Sequence, residues 1–301
     1  MSKGAPAHAG TAAPRVTVVM TTFNAERHLA AAVESILVQT MQDFEFIIVD
    51  DGSTDRTHTM LHTYAKGDAR VRPIIVPRCG RIAALNIAVR AGRTPLIANL
   101  DADDVSLPHR LEKLGAAMDA DPKLGLVGAA WVERIDDEGK PILERLVRPT
   151  DDAGLRRALM RTVPFFHSSV MYRKAAWADA GGFDEKLACL EDYDMWIKIA
   201  SKWKVANVPD VLSLKRRHAD QVFDRHHSRG IGYRTRARIL TRYFRKVRHD
   251  PRALGWAAIF SVMNRPLLEA YSKVTGKGTK ERALEHELHK EEPKTDLPSR
   301  R

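Results

Sequence analysis

The chain has 301 residues, 44% of them hydrophobic, and a formal charge of +11 that is unevenly placed: 22 Lys and Arg against 10 Asp and Glu after residue 214, but 27 against 28 before it. This length and composition suit one large α/β domain or two smaller ones and exclude a chain unable to bury a core. Two cysteines, Cys79 and Cys189, without CxxC or Cys/His spacing, suggest neither a disulfide framework nor a zinc site, and no 18-residue apolar run offers a simple transmembrane helix.

Residues 1–14 are small, Pro-containing and lack an apolar centre, so they read as a disordered leader rather than a signal peptide. Four near-continuous apolar runs follow: VTVVM (16–20), FEFIIVD (44–50), VRPIIV (71–76) and PLIANLD (95–101). Such runs fit strands buried on both faces. Helical patterns separate them. The first, over about 25–40, lines up Leu29, Val33, Ile36 and Leu37; the second follows the capping cluster GSTD; the third, over 81–91, stops at Gly92. This alternation predicts a mainly parallel, doubly wound sheet with ligands at the carboxyl ends of its strands. After a helix near 108–120, LGLVGAAWV, FFHSSVMY and VLSLKRR read as further strands of the same sheet, with helices over DAGLRRALM and DYDMWIKIASKW. The expected organisation is one α/β domain over 15–220, a basic helical extension over 221–275 that could associate with a membrane, and a polar, mobile tail over 276–301.

Three acidic motifs fall where chemistry is expected. In NLDADD, Asp101 and Asp103 alternate around one residue at a strand end, where two carboxylates can converge on a hard divalent cation. A calcium EF-hand fails there, because Val105 and Ser106 replace a ligand and the turn glycine. A simple acidic cap on the next helix is the other reading, and Asp104 has no assigned role. In FIIVDDGSTD an acid ends the second strand, the usual nucleoside contact in a doubly wound fold. The turn TTFNAE after the first strand lacks GxGxxG, however, so a diphosphate would need a cation for positive charge. In CLEDYDMW, Glu191, Asp192 and Asp194 open a helix, either as carboxylates favoured by the helix dipole or as a general base.

Taken in order, VTVVMTTFNAERHLAAAVESILVQT, FIIVDDGSTDRT, NLDADD and GGFDEKLACLEDYDMWIKIA resemble a family 2 glycosyltransferase of GT-A fold, over about Val16 to His218. The resemblance implies a nucleotide-diphosphate sugar as donor, Mg²⁺ or Mn²⁺ as cofactor and a saccharide or lipid-linked acceptor. It puts Thr21, Phe23, Asn24 and Asp51 at the nucleoside, Asp101 near ribose and diphosphate, and Asp103 on the metal. It makes Asp192 the catalytic base, with Glu191 as its neighbour, and inversion at the anomeric carbon follows. RCG (78–80) replaces the Asn-Xaa-Gly common in relatives, and Arg81 and Asn86 become candidates for the diphosphate. RRH (216–218) resembles a basic element that closes over phosphates, or else is a solvated strand end. A sugar-1-phosphate nucleotidyltransferase would need a glycine-rich loop that TTFNAE does not offer; a non-catalytic nucleotide-binding module at a membrane is the other alternative.

In the basic extension, residues 229–250 place Ile239, Leu240, Tyr243, Phe244 and Val247 on one helical arc, with most Arg and Lys opposite. Such a helix either docks on the domain or holds a cytoplasmic protein against the anionic inner face of the membrane. No nucleic-acid recognition motif accompanies the charge, so nucleic acid is not an expected partner.

Overall fold

The computed structural model describes residues 13–218, 231–243, 254–255 and 257–258. The predicted leader up to residue 12, the polar tail and much of the basic extension lie outside the described residues.

The chain divides into two units, Met1–Leu159 with Val163–Gln221, and Met160–Thr162 with Val222–Arg301. The first unit opens with the alternation read from the sequence: β1 (Val16–Thr22), α1 (Leu29–Leu37), β2 (Phe44–Asp51), α2 (Thr57–Gly67), β3 (Val71–Val76), α3 (Arg81–Ala91) and β4 (Leu96–Asn99). Neighbouring pairs among these four strands are parallel. There follow β5 (Val105–Ser106), α4 (Arg110–Ala120), β6 (Leu124–Ile135), β7 (Pro141–Val147), α5 (Asp152–Leu159), a 3₁₀ turn (His167–Ser169), β8 (Met171–Arg173), α6 (Lys174–Asp179), α7 (Glu191–Lys202) and β9 (Lys204–Arg216). All join one sheet of order β3-β2-β1-β4-β8-β6-β9-β5, with β7 beside β6. The strand β8 is antiparallel to both β4 and β6 and so links the parallel half to the mixed half.

The inner stripe of β1, Val16, Val18 and Met20, meets Leu29, Val33 and Ile36 of α1 and Phe46 and Ile48 of β2 in one buried cluster. Each such side chain contributes roughly 1.5–3 kcal/mol of burial. This core fixes where β1, β2 and β4 end, and hence where their carboxyl-end loops meet.

Several expectations need correction. β3 is not buried on both faces; it is the sheet edge, most of its residues are only partly covered, and Pro73, which has no N–H to pair, is tolerated there. The first helix starts at Leu29 rather than about 25, because residues 24–28 form a turn tied to α2: Ala25 donates its N–H to Thr57 Oγ1 at 2.8 Å and Glu26 to Asp55 Oδ2 at 3.1 Å. The run FFHSSVMY is not one strand, since a 3₁₀ turn over His167–Ser169 precedes the short β8. The strand β7 and helix α6 were not expected at all.

In the second unit, α8 (Ile231–Tyr243) carries the start of the basic extension. Of the apolar arc, Ile239, Leu240 and Tyr243 are buried, as is Ala237, while Phe244 and Val247 lie outside the described residues. Within the unit, Arg236 Nη1 donates to the carbonyl of Arg161 at 3.3 Å. Among the described residues, no helix is long and apolar enough to cross a membrane.

Candidate active site

The carboxyl ends of β1 and β2 start a chain of side-chain contacts that runs on to the two acidic motifs. Thr21 is buried in β1, whereas Phe23, just beyond it, is 44% exposed. The guanidinium of Arg78 stacks on the Phe23 ring, 3.2 Å from its centroid, and its Nε lies 3.7 Å from Asp51 Oδ2. Asp51 itself is buried and accepts the N–H groups of Cys79 at 2.6 Å and Gly80 at 3.1 Å, so it anchors the unusual RCG loop. Gly52 makes this approach possible. Its φ is +73°, and a Cβ there would lie 3.0 Å from the Arg78 nitrogen. Asn24, expected among the nucleoside contacts, has φ +50° and uses its side-chain carbonyl to accept the Thr54 N–H at 2.8 Å; it fixes the turn.

The RCG loop delivers Arg81 at the start of α3. From there Arg81 Nη2 donates to Asp101 Oδ1 at 2.7 Å and Nε donates to Glu191 Oε1 at 2.9 Å. One side chain thus ties the NLDADD motif to the LED motif. Burial alone would raise both carboxyls, but the Arg81 charge overrides it and holds Asp101 well below the usual carboxylate range and Glu191 below its ordinary value. Asn86, on the same helix, does not share this position. It is buried, its Nδ2 donates to the Phe183 carbonyl at 2.9 Å and Glu185 Oε1 at 2.8 Å, and its Oδ1 accepts the Phe183 N–H at 3.0 Å. The expectation that Asn86 faces a diphosphate is therefore corrected: its polar atoms are spent on the GGFDEK loop.

After β4 the chain turns so that Asp101, Asp103 and Asp104 each present an oxygen within 4.8 Å of one another. The three differ in commitment. Asp104 is buried, accepts the Ser168 hydroxyl at 2.5 Å and the Arg216 N–H at 2.9 Å, and is pushed up in pKa by burial and by Asp103. Ser168 in turn accepts the Asp101 N–H at 3.1 Å, so Asp104 and Ser168 brace the turn from behind. Asp103 Oδ2 lies 2.9 Å from His218 Nε2. Arg216, read from the sequence as part of a phosphate-closing element, is only 5% exposed and donates to the carbonyls of Asp103, Asp136 and Asp137. The hard oxygens of Asp101 and Asp103, with an imidazole beside them, form a donor set that fits Mg²⁺ or Mn²⁺.

Asp192 lies two residues after Leu190, whose φ of +62° is left-handed, a strained state for a non-glycine residue. Its Oδ1 accepts the Tyr193 N–H at 2.7 Å. Burial and the neighbouring Glu191 push the Asp192 carboxyl up to about 7, poised between acid and base. Two titratable groups here were missed by sequence reasoning. Burial pulls Lys215 down, but the carboxylates of Asp104, Asp101, Asp103 and Asp192 outweigh it and hold the ammonium firmly protonated. His167 Nε2 is 3.8 Å from Asp101 Oδ1, and burial lowers the ring to about 4, leaving it neutral. The alternation in VLSLKRR could have placed Lys215 on the site side of β9; nothing in FFHSS marks His167 once that run is read as a strand.

The Glycosyl transferase family 2 model matches residues 17–179. The amylovoran biosynthesis glycosyltransferase AmsE of Erwinia amylovora is 32% identical over 224 residues, covering 72% of this chain and 80% of AmsE. Among solved structures, S. aureus TarS 1–349 in complex with UDP-GlcNAc superposes with a TM-score of 0.65 at 17% identity, covering 80% of this chain and 70% of TarS. The mannosyltransferase PcManGT of Pyrobaculum calidifontis, in complex with GDP-Man and Mn²⁺, gives 0.60 at 18% identity, covering 92% and 83%. These two likenesses establish the fold.

Proposed function

The chain belongs to glycosyl transferase family 2, with the GT-A fold, and from that premise we propose an inverting, metal-dependent transfer of a sugar from a nucleotide-diphosphate donor to an acceptor hydroxyl. The product would be a cell-surface polysaccharide or glycolipid. The observation that supports this most directly is the bridge through Arg81, which brings the acidic turn after β4 against the carboxylates that open α7.

On this reading Phe23 and Asp51 line the nucleoside end, and the donor diphosphate lies toward Asp101 and Arg81. Mg²⁺ or Mn²⁺, held by Asp101 and Asp103, would neutralise the departing diphosphate. Asp192, kept part-protonated near neutrality, takes the proton of the acceptor hydroxyl. The acceptor oxygen bonds to the anomeric carbon as the bond to the diphosphate oxygen breaks and leaves with its electron pair, a single displacement that inverts the centre. Glu191 is held ionised by Arg81 and is the less suitable proton acceptor. The UDP-GlcNAc bound to TarS and the GDP-Man and Mn²⁺ bound to PcManGT support the donor class and a divalent ion. The AmsE relative supports a role in polysaccharide synthesis. Peripheral contact with an anionic cytoplasmic leaflet would rest on exposed cations of α8 such as Arg234 and Arg238, because its Ile239, Leu240 and Tyr243 are buried.

A thermal-shift screen of nucleotide sugars tests the reading. One donor should raise Tm in Mg²⁺ or Mn²⁺ but not in EDTA, and Asp103→Asn should abolish the rise. Equal stabilisation in EDTA would remove the metal from donor binding.

A further inference from the structure

Away from the acidic motifs, α2 carries a second constellation that the transfer reaction does not use. His58 and His62 are one helical turn apart, with their Nε2 atoms 2.9 Å from each other. Their ring centroids are 4.6 Å apart and the rings are inclined at 45°. Behind His58 lies Asp50, its side chain 1% exposed, with Oδ2 3.9 Å from His58 Nδ1. Asp50 Oδ1 accepts the Ser53 hydroxyl at 2.5 Å and the Ser53 N–H and Thr22 hydroxyl, each at 3.3 Å. Oδ2 is buried and, among the described residues, has no hydrogen-bond partner. A buried carboxylate oxygen without a donor is costly, and here it is aimed at an imidazole.

We propose that His58 and His62 bind one divalent transition-metal ion of the imidazole-preferring class, Cu²⁺ or Ni²⁺, through their Nε2 atoms, with Asp50 as the buried partner of His58 Nδ1–H. Two imidazoles holding one ion at about 2.05 Å, at a right angle, set their Nε2 atoms about 2.9 Å apart and their ring centroids about 4.5 Å apart. A head-on N–H···N hydrogen bond at the same nitrogen spacing would put the centroids about 5.2 Å apart. The observed 4.6 Å matches rings converging on a shared point. With both Nε2 lone pairs directed at the ion, the proton of each neutral ring sits on Nδ1. For His58 that places a donor opposite the unpartnered Asp50 oxygen, the carboxylate–histidine–metal arrangement that fixes tautomer and ring orientation. Water would complete the coordination on the exposed side. The ligand chemistry separates this site from the acidic turn, whose oxygens favour harder ions. It also connects to the donor end of the candidate active site, because Ser53 Oγ, bound to Asp50, accepts the Asn24 N–H at 2.9 Å.

The test is titration of the full chain with Cu²⁺ in excess Mg²⁺, read by electron paramagnetic resonance. The native chain should show one class of Cu²⁺ with two nitrogen ligands. His62→Ala, a change at an exposed position, should weaken that class at least tenfold and leave a one-nitrogen spectrum, while Asp103→Asn leaves it unchanged. Asp50→Asn should keep two nitrogens and weaken binding about 10-fold or more; unchanged affinity would remove Asp50 from the site. Equal affinity and spectrum in the native chain and His62→Ala, or loss of the signal in Asp103→Asn, would overturn the proposal.

Discussion

Four neighbouring carboxyls are shifted in opposite directions, and the cause is local in each case. Asp101 and Glu191 face the Arg81 guanidinium and stay ionised; Asp104 and Asp192 do not touch it and are raised. For Asp192 the sign has a kinetic consequence. A carboxyl raised to about 7 is mostly protonated below that pH and cannot accept a proton, so kcat/KM should climb about tenfold per pH unit below 7 and level off above it. A pH–rate profile with a limb near 4 would mean that another group limits the rate. Asp192→Asn removes the acceptor while preserving shape, and should lower kcat by roughly 10²- to 10⁴-fold. Donor affinity, measured by thermal shift or calorimetry, should be unchanged; if turnover persists, Asp192 is not the base.

At the level of elements, strand ends and helix starts place these residues, and this part of the molecule was the most legible in sequence. β2 ends within one residue of the predicted boundary and α3 spans the predicted 81–91, because buried Val/Ile runs and a glycine stop leave few alternatives. What the pattern could not supply was the partner of each polar side chain. Asn86 lies one helical turn and one residue beyond Arg81, yet it points into the GGFDEK loop, where Gly182 at φ +75° leaves room: a Cβ there would sit 3.2 Å from Asn86 Oδ1. Such a contact spans 97 residues and leaves no local trace. Asn86→Ala should therefore act on folding, costing about 1–3 kcal/mol in urea unfolding through orphaned buried groups, with donor KM changed less than twofold. A large rise in KM without loss of stability would restore it to the donor site. His167 was hidden for a related reason: FFHSSVMY has the residue types of a strand, but a 3₁₀ turn lifts Ser168 and His167 toward the acidic loop.

Across the whole molecule, the charge asymmetry in the sequence separates a nearly neutral first part from a basic extension; of the extension's apolar arc, Ile239, Leu240 and Tyr243 are buried, and Phe244 and Val247 lie outside the described residues. Within the first unit, the candidate site draws on chain segments far apart. Arg81 and Glu191 are separated by 110 positions, and Asp104 and the Arg216 N–H by 112. β9 is the last strand of that unit and pairs with both β6 and β5, so the brace on Asp104 exists only once it has docked. Long-range closures of this kind are slow because chain entropy is lost before the contact forms. In refolding from urea, donor-dependent fluorescence or stabilisation should therefore lag the recovery of helical circular dichroism; simultaneous recovery would show that β9 docks early. On the ribosome the same geometry imposes an order of events. The strands β1–β4 are complete by Asn99, whereas Glu191 and the Arg216 N–H that braces Asp104 lie beyond residue 190, so a nascent chain joins its two acidic motifs only after β9 has emerged.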